Sequence, residues 1–141
     1  MTYNTQLIKE LESLLNGSID PTMFPYAKGN SIRIGDYVVR SNKRGFYKIY
    51  NLESNKLITE TFCKSSAVAL AKTLARSASG ANDIIQADKE IMKHYNDCIF
   101  YKHTIRVSKD KTRRHVAQIR YDIAKQKTLH AKSHLDRYIY T

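Results

Sequence analysis

Apolar positions along this chain change from a helical period to a strand period and back again. Between residues 3 and 16, Leu7, Ile8, Leu11, Leu14 and Leu15 share one helical face, and Lys9, Glu10 and Glu12 take the other. Asn4 or Thr5 can cap this helix, and Gly17 can end it. Asp20-Pro21 and Phe24-Pro25 keep residues 17–31 out of helical geometry, which predicts a loop. From residue 32 to 62, alternation takes over in runs of Tyr, Ile, Val, Thr and Phe, the residues strands prefer. It predicts a three-stranded antiparallel meander: Ile32 to Arg40, Phe46 to Leu52, and Leu57 to Phe62. The phase slips at Gly35-Asp36, which reads as a bulge within the first strand. Asn42-Lys43-Arg44-Gly45 and Glu53-Ser54-Asn55-Lys56 are the turns.

The helical period returns after Lys64. Ser65 or Ser66 can cap a helix running to about Ser77, with Ala67, Leu70, Ala71, Leu74 and Ala78 as a stripe of small side chains that can lie close against a sheet. Ser79-Gly80 stops it. The final 61 residues contain no Gly and no Pro, so long helices are expected there. One stripe is Ile84, Ile91, Tyr95, Cys98 and Ile105; a later one holds Val116, Ile119, Ile123 and Leu135. Between them Ser108, Asp110 or Thr112 can cap a new helix. Two helices, about 82–107 and 111–138, would then fold into an antiparallel hairpin, each roughly 40 Å long at ~1.5 Å per residue. A single continuous rod is the alternative. The expected class is α+β: an N-terminal helix, a three-stranded antiparallel meander, a covering helix and a long C-terminal helical hairpin. The expected organisation is a small domain over 1–80 and a hairpin arm over 81–141, packed on that domain or extending from it.

Charge changes the picture more than composition does. Lys and Arg total 24 against 13 Asp and Glu, a net charge of +11. The surplus is uneven: residues 1–70 carry nine basic and six acidic side chains, residues 71–141 fifteen and seven. A field of that sign draws polyanions and speeds their association. No apolar run approaches the ~20 residues of a membrane-spanning helix, and no secretory leader opens the chain. Cys63 and Cys98 are too few for a disulfide framework and read as reduced thiols, hence a cytoplasmic setting. Asn, Lys, Ile and Tyr fill a third of the chain, which fits an AT-rich genome of the kind many viruses have.

Candidate chemistry is sparse. His130 and His134 lie one turn apart, but Lys127 and Lys132 beside them oppose a cation, so no metal site is expected. His94 and Cys98 repeat the spacing, yet Cys98 sits on the apolar stripe, as a structural thiol would. The five glycines are too scattered for a phosphate loop or dinucleotide fingerprint. No catalytic motif, cofactor or small-molecule substrate follows, and a non-enzyme is expected.

The basic clusters say more. Arg40, Lys43, Arg44 and Lys48 surround the first turn, with Tyr47 beside them for stacking on a base. Arg106, Lys109, Lys111, Arg113 and Arg114 crowd the predicted hairpin tip, diluted only by Asp110. Arg113, Arg120, Lys127 and His134 recur every seven residues as a ridge. The ridge separates Val116, Ile119 and Ile123 from Ala117, Tyr121, Ala124, Ala131 and Leu135. Two apolar stripes on one helix need two partners. Self-association is therefore expected through Val116, Ile119, Ile123, Tyr121 and Leu135.

The meander ending in Phe62, followed by Lys64-Ser65-Ser66-Ala67-Val68-Ala69-Leu70-Ala71-Lys72, resembles the sheet-plus-helix DNA-binding domains of phage integrase arm-binding and plant AP2-type proteins over residues 32–76. The whole chain is similar in style to small proteins of AT-rich tailed phages, marine ones especially. With the basic clusters, the expected function is a non-enzymatic accessory protein that binds the phosphates of DNA or RNA through Lys43, Arg44 and Lys48 and through the tip cations Lys109 to Arg114. The alternative is an oligomeric assembly or virion protein, or a binder of an acidic host protein.

Overall fold

A computed structural model of the chain describes residues 31–41 and 46–139. The predicted N-terminal helix over 3–16, the loop after it, and Lys43 and Arg44 lie outside the described residues.

Four strands form one antiparallel sheet in sequential order: β1 (Ser31–Ile34), β2 (Tyr37–Ser41), β3 (Tyr47–Asn51) and β4 (Lys56–Thr61). The three-stranded meander is thus corrected to four strands. Gly35-Asp36 is a two-residue turn rather than a bulge, and it folds β1 back on β2 with Ser31 opposite Arg40. Gly35 has φ +58°, which a two-residue hairpin turn requires and glycine takes without steric cost. The irregularity that does exist lies between β3 and β4, where the register shifts at Ile49/Tyr50.

One row of cross-strand partners, Ile32, Val39 and Ile49, is buried and faces α1 (Lys64–Ala75). That helix is the middle layer. It packs against every strand on one side and against two long helices on the other, α2 (Ala81–Val107) and α3 (Lys111–Ile139). Ser65 through Ala71 are all buried, because a helix covered on both sides has no solvent face to spare. Small side chains there let three layers approach closely. Ser65 and Ser66, predicted as caps, are accordingly inside the helix. The residue preceding α1 is Cys63, which makes no side-chain cap.

Asp88 of α2 holds the start of α1 instead. Its carboxylate accepts hydrogen bonds from the Phe62 and Cys63 amides at 2.9–3.3 Å. Phe62 also meets Tyr95 edge to face, 4.9 Å between ring centres. At the far end of α1, Lys72 Nζ donates to the Ile139 carbonyl in the last turn of α3. A cation suits that negative helix end.

α2 and α3 pack antiparallel, joined by Ser108–Asp110; the hairpin, not the continuous rod, is what the chain forms. Both carry a 4-3 spacing of inward residues, 84, 88, 91, 95 and 98 on α2 and 117, 121, 124, 128, 131 and 135 on α3. That period of 3.5 keeps a seam facing the partner helix. A single buried cluster links the sheet, α1 and both hairpin helices. Tyr121 and Leu135, expected at a subunit interface, belong to this cluster: they are 4% and 0% exposed inside the chain. Their stripe includes Ala117, Ala124 and Ala131 at seven-residue intervals, and these small residues let α3 approach α2. Among the described residues, no helix is long and apolar enough to cross a membrane.

Candidate functional site

The two predicted cationic regions end up at different places with different surroundings. On the sheet, strand alternation decides the faces. Arg40 and Lys48 are direct cross-strand partners on the face away from α1. Like charges opposite each other repel, but Lys48 also pairs with Glu60 of β4, Nζ to carboxylate 3.6 Å. Arg40 lies over the Tyr50 ring at 5.5 Å. Tyr47 is corrected: it sits in the row with Ser41 and Thr61, on the opposite face, and packs against the core. It cannot stack a base bound beside Arg40 and Lys48.

At the hairpin tip cations far outnumber carboxylates along the chain. From Cys98 to Tyr121 the chain has seven Lys and Arg residues and one carboxylate, Asp110. That carboxylate is already engaged, because Asp110 Oδ1 accepts the Thr112 amide at 2.9 Å and caps α3. Ser108 Oγ accepts the Asp110 amide and stiffens the link. Arg106, Lys109, Lys111, Arg113, Arg114 and Arg120 are all exposed. The first turn of α3 holds Lys111, Arg113 and Arg114 and no acidic residue. Cations at a helix N-terminus oppose the macrodipole, at ~0.3–1 kcal/mol each, so folding stability does not account for them. Together with the dipole they raise the local positive potential that an anion would meet. Lys102 is held differently, with Nζ 4.5 Å over the Tyr121 ring.

The ridge of Arg113, Arg120 and Lys127 borders a groove between α2 and α3. Its tip-side hollow, about 600 Å³, is walled by Phe100, Thr104, Arg113 and Val116. A second hollow, about 260 Å³, continues past Lys93, His94, Asp97 and Lys127. Tyr101 and Arg120 line both. Val116, Ile119 and Ile123 stay exposed on α3. Phe100 was not singled out by the sequence. The signal was its position off the inward stripe of α2, where a large aromatic has no core to enter.

No family model, curated protein or solved structure matches this chain. The chemistry must therefore be read from its own side chains. Both cysteines are free and buried. Burial and the charge of Asp88 push the Cys63 thiol up to about 12, and burial raises Cys98 as well. Thiols so placed are poor nucleophiles at neutral pH. His94 and Asp97 are 4.0 Å apart, and the His130 and His134 rings meet edge to face. Among the described residues, no group of three His, Cys, Asp or Glu side chains could hold a metal ion.

Proposed function

We propose that this chain is a non-enzymatic nucleic-acid-associated accessory protein, of the kind tailed phages encode, that holds the phosphate backbone with its hairpin tip. The observation that supports this reading is the single sign of the tip's charge: its exposed cations face one carboxylate, and that carboxylate caps α3. Lys109, Lys111, Arg113 and Arg114 provide the phosphate contacts, and Arg106 and Arg120 extend them down either helix. Contacts of this type position a nucleic acid without reading its sequence. Arg40 and Lys48 contribute less, because Glu60 pairs with Lys48 and Arg40 lies over the Tyr50 ring. Two free buried thiols suit a reducing cytoplasm.

The test is binding to labelled duplex DNA, single-stranded DNA and RNA across salt. If those four tip residues each neutralise one phosphate, log affinity for duplex DNA falls against log salt with a slope of about −3.6, at ~−0.9 per phosphate. That is roughly a hundredfold loss between about 50 and 200 mM. A flat response removes the proposal.

A second reading has its own observation. Val116, Ile119 and Ile123 form an exposed apolar stripe on α3, which suits an assembly protein or a binder of an acidic host protein. A stable oligomer, seen by light scattering and indifferent to nucleic acid, would favour it.

A further inference from the structure

We infer that the groove beside the tip takes an unpaired base of a single-stranded nucleic acid, laid on the Phe100 ring with its neighbouring phosphates on Arg113 and Arg120. The inference rests on the nucleic-acid reading above and deepens it, from phosphate attraction in general to single strands.

Phe100 carries the argument. It is 64% exposed, the most exposed large hydrophobic side chain among the described residues. The ring is not loose: it meets Tyr101 edge to face, centroids 5.5 Å apart and planes at 70°. Tyr101 is itself half-buried against the core. One edge of the ring thus rests on Tyr101 and most of its surface is uncovered. Across the groove stand Val116, an apolar wall, and Arg113 and Arg120 on one lip. These two arginines are two turns apart on α3, ~10.5 Å along the axis. Neither closes an ion pair with a carboxylate of the described residues. A held aromatic face flanked by cations is the arrangement that binds single strands, by stacking plus backbone charge. A duplex keeps its bases paired and stacked and can offer this ring nothing. The hollow of about 600 Å³ falls within the range of sites for small organic groups.

The test uses the full chain, a labelled oligo-dT of about twenty nucleotides, a duplex of the same length, and the variants Phe100→Ala and Phe100→Tyr. Phe100 is mostly exposed, so both variants should keep the wild-type melting temperature. Phe100→Ala should weaken oligo-dT binding about tenfold to a hundredfold, the loss of one stacked base, with the salt slope unchanged. Phe100→Tyr should restore it, and duplex affinity should be equal in all three proteins. The inference is overturned if Phe100→Ala binds oligo-dT like wild type while duplex binding persists; the cationic tip then stands and only the base site falls. Absence of salt-dependent binding to either nucleic acid would instead remove both. An acidic peptide that displaces oligo-dT at equal concentration, and loses affinity in Phe100→Ala, would assign the groove to a protein partner and also overturn the inference.

Discussion

Between Ala81 and Cys98, α2 lies against α1 as well as α3, and Ile84, Ile91 and Cys98 are fully buried. From Ile99 to Val116, around the turn, no residue is buried. The two ends of the hairpin are built from the same helix-forming residues and differ in what they face. The inner end has a third layer to bury against. The outer end has only its own partner helix, and it carries exposed cations and exposed Phe100, Val107 and Val116 instead. If the proposed function holds, stability and binding separate along one pair of helices. Substitutions at the inner end should change folding, and substitutions at the outer end should change what the protein holds.

That separation can be broken by measurement, beginning with the inner end. Leu135 is fully buried, so Leu135→Ala should destabilise the fold by about 2–5 kcal/mol in chemical denaturation. A loss below ~0.5 kcal/mol would mean that the inner end is not the packed half. Asp88→Ala should cost somewhat less, about 1–3 kcal/mol, because it leaves the Phe62 and Cys63 amides without their acceptor. On the exposed face of α3, Ile119→Ser and Ile123→Ser should each leave stability within ~0.5 kcal/mol of wild type. If these exposed residues join a second copy, the same pair should convert a dimer to a monomer in light scattering. Unchanged mass would leave their stripe without that role.

The sequence disclosed the hairpin better than the sheet, for physical reasons. Gly- and Pro-free chain with candidate caps at Ser108, Asp110 and Thr112 favours two long helices and a link over one rod, and Asp110 does cap α3. Gly35-Asp36 was misread as a bulge because a bulge and a two-residue turn both shift the phase of alternation. The difference lies in whether β1 pairs with β2, a contact alternation does not encode. Tyr47 was misplaced for a related reason: a tyrosine in a strand suits either face, and only the register with Ser41 and Thr61 assigns it. Ser65 and Ser66 look like caps locally and are buried by the third layer, which no local rule reports. On α3 both stripes are apolar. Ala117, Ala124 and Ala131 mark which one faces α2, since small side chains at every seventh position ease that approach. Of the candidate site, the tip cations were legible as a charge run. That all of them lie exposed, with the uncovered ring of Phe100 beside them, required the fold.

We propose that the tip, not the sheet, is the polyanion-binding surface. Affinity for a labelled oligonucleotide should be compared between Arg113→Glu/Arg114→Glu and Arg40→Glu/Lys48→Glu, with salt dependence measured for each. The tip variant should lose more than about tenfold in affinity and show a flatter salt slope, while the sheet variant stays within roughly threefold of wild type. Equal losses in the two variants, or a larger loss from the sheet pair, would show that the tip is not the principal binding surface.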